Sequence, residues 1–103
     1  MIITPQANID LLEIGDTISK ENHGAAKRFR QKVEYTFQML VKMPELGERC
    51  SSAHPKFRNV RIWRVSGFSN YLIFYRIGEE TLEILRVVHG ARNYRQKLRT
   101  GKL

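Results

Sequence analysis

The stretch Tyr71-Leu72-Ile73-Phe74-Tyr75-Arg76-Ile77 is followed, after Gly78-Glu79-Glu80, by Leu82-Glu83-Ile84-Leu85-Arg86-Val87-Val88. Both apolar stretches are rich in aromatic and β-branched residues, which are enriched in β-strands. Because a short turn joins antiparallel neighbours, the two stretches are predicted to be adjacent strands of one sheet. Before the Ser66-Gly67 break, a further strand is predicted from Val60, Ile62, Trp63 and Val65.

Two helices are predicted ahead of this sheet. Thr4 and Pro5 are typical of an N-cap and a first helical residue, and the short apolar strand Ile2-Ile3 precedes them. In this first helix we expect the inner face to carry Ile9, Leu12, Ile14 and Ile18. The face toward water is predicted to carry Asp10, Glu13, Asp16 and Lys20.

The second helix has the clearest periodicity in the chain. It is predicted to begin at Ala25, with Asn22 as its cap, and to end before Pro44 and Gly47. Its predicted inner face consists of Ala26, Phe29, Val33, Phe37, Leu40 and Val41. Helices joined by so short a turn are expected to pack antiparallel.

A chain of 103 residues has room for one hydrophobic core. The sequence therefore predicts a single α+β domain over residues 1–103. It consists of a short N-terminal strand, an antiparallel two-helix hairpin packed on a three-stranded antiparallel sheet, and a basic C-terminal segment. Residues 45–58 show neither strand nor helix period and are predicted to form a loop. The middle strand is apolar on both faces, so its second face is covered either by another chain or by the C-terminal tail.

The charge of the chain is strongly positive and unevenly distributed. Eighteen Lys and Arg against ten Asp and Glu give a formal net charge of +8. Residues 86–103 contain six bases and no acid, whereas residues 1–24 contain four acids and one base. Such a charge favours an acidic partner, which could be nucleic acid, an acidic protein or an acidic peptide segment.

Several classes of protein are disfavoured by composition. The single cysteine, Cys50, cannot form an intramolecular disulfide, and no signal-like segment begins the chain, so a cytoplasmic location is predicted. No apolar run approaches the roughly 20 residues that span a bilayer, so no membrane association is expected. Because His23, His54 and His89 are widely separated and lack a cysteine cluster, neither a metal nor another cofactor is predicted.

Five residue strings occur in the order of these elements: Thr4-Pro5-Gln6-Ala7, Ala25-Ala26, Pro44-Glu45-Leu46-Gly47, Tyr71-Leu72-Ile73-Phe74-Tyr75-Arg76 and Ile84-Leu85-Arg86-Val87-Val88-His89-Gly90-Ala91-Arg92. In their order and spacing these strings resemble the ParE/RelE family of bacterial toxins. The final string favours the ParE branch of that family.

The resemblance implies the toxin of a type II toxin-antitoxin pair, without a catalytic centre, that inhibits DNA gyrase by binding. Its cognate antitoxin is expected to be ParD-like, with an acidic tail that covers part of the toxin. The residues predicted to bind the target are Arg86, His89, Arg92, Tyr94 and Arg95. Those predicted to bind the antitoxin are Trp63, Tyr71, Ile73 and Tyr75.

The alternative is a RelE-like, metal-independent endonuclease that cuts mRNA on the ribosome. Cations would then stabilise phosphate charge and a tyrosine would assist proton transfer, roles open to Arg64, Arg86, Arg92 and Tyr94. RelE-like chains carry an arginine just after the middle-strand tyrosine, where this chain has Leu72, and this difference favours the ParE branch. Arg86 interrupts an apolar strand, and it is expected either to pair with Glu79, Glu83 or a helix carboxylate, or to act in function.

Overall fold

A computed structural model describes residues 1–50, 54–90 and 94–103 of the protein. A mixed sheet with strand order β1-β5-β4-β3-β2 is covered by helices. Strand β1 pairs parallel with β5, and the other neighbours are antiparallel. In chain order the elements are β1 (Ile2–Ile3), α1 (Pro5–Glu21), α2 (His23–Lys42), β2 (Glu48–Arg49), β3 (Val60–Val65), β4 (Phe68–Ile77), β5 (Leu82–His89) and α3 (Tyr94–Thr100).

The α+β architecture predicted from the sequence is confirmed, with two additions to its sheet and tail. Strand β2 lies within the segment predicted to be a loop, as does a 3-10 turn at Pro55–Phe57. A two-residue strand is too short to show a period, and β2 exists because it pairs with Arg61 and Ile62 of β3. The basic C-terminal segment forms helix α3.

Thr4 fixes the beginning of α1 to strand β5. Its hydroxyl accepts a hydrogen bond from the Ala7 amide at 3.1 Å, which is the predicted N-cap. The same hydroxyl donates to the Leu85 carbonyl at 2.9 Å, and the Thr4 amide donates to the Ile84 carbonyl at 3.0 Å. One side chain therefore both starts the helix and joins it to the sheet.

The inner face of α1 differs from the predicted one. Ala7 and Asp10 are buried, and Leu11, Ile14 and Ile18 pack against the core. Ile9 and Leu12, predicted to face inward, are 46% and 70% exposed, and Asp10, predicted to face water, is 6% exposed. The prediction was wrong here because it assigned every acid to the solvent side, and Asp10 has a partner in the sheet.

That partner is Arg86 of β5. The guanidinium Nε lies 2.8 Å from Asp10 Oδ2, and Nη2 lies 3.1 Å from Oδ1. Asp10 Oδ2 also accepts from the Val87 amide at 3.0 Å, and Oδ1 accepts from Gln6 Nε2 at 3.1 Å. A buried carboxylate with four donors is compensated for the loss of water, so this ion pair joins α1 to β5.

The inner face of α2 agrees with the prediction at four positions: Phe29, Val33, Phe37 and Leu40 are buried. The helix begins at His23 rather than Ala25, with Asn22 accepting from the Ala25 amide at 3.1 Å. Val41, predicted to face inward, is 45% exposed, and Thr36 is buried instead. The Thr36 hydroxyl donates to the Lys32 carbonyl at 2.6 Å and accepts from the Ser66 amide at 3.0 Å, which ties the β3–β4 turn to α2.

Tyr75 anchors the chain between α2 and β2. Its hydroxyl donates to the Pro44 carbonyl at 2.7 Å and accepts from the Gly47 amide at 2.8 Å. A Cβ at Gly47 would lie 2.5 Å from the Tyr75 hydroxyl oxygen, so the chain can approach this closely only with glycine. Burial raises the pKa of Tyr75, against the lowering effects of the Gly47 hydrogen bond and the Arg61 charge.

The sheet has an apolar cluster on each face. The hairpin face contains Phe29, Val33, Phe37, Ile73, Tyr75 and Ile84, together with their neighbours. The opposite face contains Phe57, Val60, Leu72, Phe74, Leu98 and Leu103. Of the two coverings considered for this second face, the structure shows the C-terminal tail. Lys56 Nζ holds that tail by donating to the carbonyl oxygens of Gly101 and Leu103, each at 3.1 Å.

We expect Tyr75→Phe to destabilise the protein by about 1 to 3 kcal/mol, because the buried Gly47 amide and the partly buried Pro44 carbonyl lose their partner. The pKa of Tyr75 in the folded protein is raised above its unfolded value of about 10. The phenol therefore contributes its full stabilisation below about pH 10, and this contribution decreases as the pH rises through the folded-state pKa. Urea unfolding from pH 7 to 11 measures the difference between wild type and variant, which is expected to shrink above about pH 10. The matched control is Tyr35→Phe, because Tyr35 is 55% exposed. A pH-independent difference would contradict this account.

Asp10→Ala is expected to cost about 3 to 5 kcal/mol, because it leaves Arg86 charged and unpaired in a poorly hydrated site. Replacing both partners, as in Asp10→Leu with Arg86→Met, should recover part of that loss, since no buried charge remains. Asp16→Ala is the control: Asp16 pairs with Lys20 at 3.5 Å with both side chains exposed, and pairs of this kind contribute about 0 to 1 kcal/mol. Equal losses of unfolding free energy for Asp10→Ala and Asp16→Ala would show that the pair does not join α1 to β5.

Candidate functional site

A β-bulge in β5 precedes the residues of interest. Phe74 lies opposite Arg86 and Tyr75 opposite Ile84, so Leu85 is an extra residue in the ladder. The bulge allows Ile84 and Val87 both to join the hairpin-face cluster, while Leu85 and Val88 pack with the opposite one. Because Thr4 binds the Leu85 carbonyl, the bulge is fixed by the beginning of α1.

Arg86 follows this bulge, and it is committed to Asp10. The arginine side chain is 24% exposed and the aspartate 6%. Of the two roles predicted for Arg86, the structure shows the ion pair with a helix carboxylate. Nε and Nη2 each donate one hydrogen bond to Asp10, so two of the five N–H donors of this guanidinium are used to hold the helix.

His89 ends β5 opposite Tyr71 of β4. The two rings are 5.0 Å apart and nearly perpendicular, at 84°, and Tyr71 makes a second edge contact with Phe29 at 5.1 Å. Both His89 and Tyr71 are half-buried. The imidazole is therefore held by ring packing at the place where the chain leaves the sheet.

Tyr94 and Arg95 begin helix α3. The Tyr94 ring makes an edge contact with Phe74 at 6.0 Å, and the Arg95 guanidinium carbon lies 5.9 Å from the Tyr94 ring centroid. Arg95 Nε donates to the Tyr94 hydroxyl at 3.4 Å, and this hydrogen bond raises the pKa of the fully exposed Arg95. Arg92, predicted both as a target-binding residue and as a nuclease residue, lies outside the described residues.

A cleft of about 600 Å³ lies between α1, the end of β5 and α3. It brings together three of the predicted target-binding residues, Arg86, His89 and Tyr94. Arg95 does not line it. Other lining side chains are acidic on the α1 side and basic on the α3 side, and they include Glu13, Lys97 and Lys102.

A larger groove, of about 1080 Å³, follows β3 and the other side of α3. We call it the β3 groove. Its lining includes Trp63 and Arg64 from β3, Met39 from α2, and Tyr94 and Arg95 from α3. The nuclease candidates are therefore divided: Arg64 lies in the β3 groove, Arg86 lies in the smaller cleft, and Tyr94 borders both.

The predicted antitoxin-binding residues differ in how accessible they are. Trp63 and Tyr71 are half-buried. Ile73 and Tyr75 are each 0% exposed and lie in the hairpin-face cluster. A fully buried side chain cannot contact a partner protein, so Ile73 and Tyr75 were wrongly assigned to a binding surface. Their role is to hold the helix hairpin and the α2–β2 connection on the sheet.

Asp10 is the residue that the sequence analysis failed to place. The signal was present, because Asp10 follows Ala7 and precedes Ile14 at helical spacing on the inner face. An arginine in an apolar strand also requires an acid nearby. Combining the two observations would have identified Asp10. Within the described residues, no group of three or more His, Cys, Asp or Glu side chains could hold a metal ion, and no helix has the length and apolar character to cross a membrane.

Comparison with known proteins places the chain in a family. It is similar to proteins named Toxin ParE1 from two strains of Mycobacterium tuberculosis, CDC 1551 / Oshkosh and ATCC 25618 / H37Rv. Each is 24% identical over 90 residues, which cover 85% of this chain and 86% of the relative. The model of the ParE toxin of type II toxin-antitoxin systems, parDE, matches residues 1–94. The chain therefore belongs to the ParE toxin family of type II toxin-antitoxin systems.

Proposed function

We propose that this protein inhibits DNA gyrase by binding to it, without catalysing a reaction, and that a cognate antitoxin neutralises it. Membership of the ParE family implies an antitoxin partner. Three further points belong to the proposal: the target is gyrase, the antitoxin is ParD-like with an acidic tail, and the protein acts in the cytoplasm.

The observation that carries the proposal is the state of Arg86. A metal-free nuclease needs cations free to approach the scissile phosphate as negative charge develops. Arg86, one of the two strand arginines predicted for this role, instead makes two hydrogen bonds to Asp10, and the adjacent strand presents Leu72, which is 8% exposed. A phosphate would have to compete with Asp10 for the Nε and Nη2 donors of Arg86, and drawing them away would break a buried ion pair.

Binding requires only a surface, and the end of the sheet supplies one. Residues 94–103 carry Arg95, Lys97, Arg99 and Lys102 and no acid, and all four side chains are exposed. His89 and Tyr94 lie beside them at the edge of the smaller cleft. A basic surface with aromatic neighbours favours a partner that presents acidic groups, and it accelerates association with that partner.

In a supercoiling assay with purified gyrase and antitoxin-free protein, we expect inhibition that rises with protein concentration. Arg95→Glu should raise the half-inhibitory concentration by about tenfold, because charge reversal at an interface weakens binding. Arg30→Glu is the matched control, since Arg30 is also exposed but lies on α2. Absence of inhibition by folded wild-type protein at any concentration would refute gyrase as the target.

A second candidate, the ribosome-dependent mRNA endonuclease, is favoured by one observation. Arg64 and Tyr94 line the same groove, so a cation and a phenol are available together. Programmed ribosomes incubated with the protein would then yield cut message, and Arg64→Ala would slow the cleavage. Intact message under conditions in which gyrase is inhibited would exclude this candidate.

A further inference from the structure

The α1–α2 hairpin has a second long face, which points away from the sheet. Its two helices are joined by Asn22 alone, and their inner sides pack on β4 and β5 through the hairpin-face cluster. The residues on the opposite side of both helices are exposed, and we call this side the outer face of the hairpin. Because the core does not use this face, its side chains are available to a partner.

Large apolar side chains form part of the outer face. Leu12 is 70% exposed, and Ile9, one turn before it on α1, is 46% exposed. Tyr35 of α2 is 55% exposed, with Lys32 Nζ 5.7 Å from its ring centroid. Ile9 and Tyr35 are equally far from Asn22 along the chain, so in an antiparallel hairpin they lie at the same level. Single exposed apolar residues are ordinary, whereas a group that spans two helices is typical of an interaction surface.

The two helices carry opposite charges. The exposed charged residues of α1 are Glu13, Asp16 and Glu21 with one base, Lys20. Those of α2 are five Lys and Arg residues with one acid, Glu34. Lys20 pairs with Asp16 at 3.5 Å, and none of the five α2 cations has an ion-pair partner among the described residues. The hairpin is therefore acidic along α1 and basic along α2.

This distribution of charge selects the occupant of the outer face. An acidic partner would be repelled by α1, and a basic partner would be repelled by α2. A second copy of the chain satisfies both helices when α1 of each copy lies over α2 of the other. A two-fold axis parallel to the helices produces this arrangement, and it leaves each residue at its level along the hairpin. An axis across the helices would place α1 on α1 and α2 on α2, so that like charges meet.

We propose that two copies of this chain form a symmetrical dimer through the outer faces of their hairpins, with α1 of each copy antiparallel to α2 of the other. Because residue levels are kept, Ile9 and Leu12 of one copy meet Tyr35 of the other. Asp16 and Arg28 are both exposed and equally far from Asn22, so they meet as an ion pair across the contact. Each contact occurs twice, as an isologous interface requires.

The size of the contact predicts a weak dimer. Helix α1 has 17 residues, so it is about 25 Å long, and two adjacent helices are about 20 Å wide. The area buried on both copies together is therefore about 1,000 Å², at the lower end of the range for specific interfaces. We expect a dissociation constant on the order of 10 μM.

The net charge of +8 on each copy is compatible with this contact. The basic helix α3 packs with the cluster on the opposite face of the sheet, so the two α3 helices lie on the far sides of the dimer. At physiological ionic strength the Debye length is about 8 Å, which screens repulsion between such distant charges. The basic surface of each copy therefore stays accessible in the dimer.

Sedimentation equilibrium of the full chain from about 1 to 200 μM, in about 0.15 M salt, tests for the dimer. The average mass should rise with concentration from 12.1 kDa, the mass of one chain, toward twice that value. Leu12→Lys should weaken association at least about tenfold, because it removes an apolar contact and brings a like charge to α2 of the other copy. The matched control is Ile77→Lys, since Ile77 is exposed at the end of β4, outside the hairpin. A chain that stays monomeric, or a dimer that Leu12→Lys leaves intact, would overturn the proposal.

Charge reversal tests the direction of the two-fold axis. Asp16→Arg and Arg28→Asp should each weaken the dimer by about tenfold, since each places like charges across the contact. Both changes in one chain restore opposite charges, so the double variant should regain most of the wild-type affinity. The control is Arg58→Asp, because Arg58 is exposed and lies outside the hairpin.

Two results of the charge reversal would contradict this arrangement. Stronger association of Asp16→Arg than of wild type would show that α1 lies on α1. A double variant as weak as the single variants would show that Asp16 and Arg28 do not meet. Circular dichroism establishes that each variant is folded, so a loss of association reports on the contact.

The dimer goes beyond the proposed function and does not rest on it. No gyrase is present in the sedimentation experiments, so dimer formation and gyrase inhibition succeed or fail separately. A monomeric chain in which Leu12→Lys abolishes gyrase inhibition would assign the outer face to the target and overturn the dimer.

Discussion

The ion pair between Asp10 and Arg86 is the interaction on which the arrangement of this protein depends. It joins the first helix to the last strand, and its carboxylate also holds the Val87 amide at the sheet edge. Thr4 and the Leu85 bulge lie next to it, so the helix start, the strand irregularity and the ion pair form one connected unit. Breaking a buried pair of this kind costs about 3 to 5 kcal/mol, a large share of the stability of a small domain.

The same pair also limits what Arg86 can do, because the guanidinium that binds Asp10 is not a free cation. In this chain, the arginine on the last strand is used to position a helix, and the middle strand offers Leu72 in place of a second cation. Exposed positive charge lies on α3, along the β3 groove and on the outer face of α2. The exposed basic side chains are therefore separate from the buried carboxylate of Asp10.

Much of the architecture could be predicted from local patterns. The capping residues Thr4 and Asn22, the inner face of α2 and the three long strands follow from residue spacing, because each depends on near neighbours in the chain. The failures share another origin. Asp10, Thr36 and β2 each depend on a partner far away in sequence, and a residue type alone does not reveal such a partner. Tyr75 and Ile73 were misplaced for a related reason: an apolar strand has two similar faces, and only the assembled structure shows that the helices cover the one that carries these residues.

The pairing of β1 with β5 ties the order of synthesis to the order of folding. Thr4 binds Leu85, 81 residues later in the chain, and the parallel pairing of Ile2 and Ile3 with Glu83 and Ile84 spans a similar distance. Contacts between such distant residues form late, since closing a long loop precedes any gain from the contact. The helix hairpin therefore emerges from the ribosome before the strand that fixes it. Helix α1 can pack against β5 only when almost the whole chain has been made. A chain whose synthesis stops before β5 would lack both Arg86 and α3. It would therefore have neither the ion pair with Asp10 nor the basic side chains of α3.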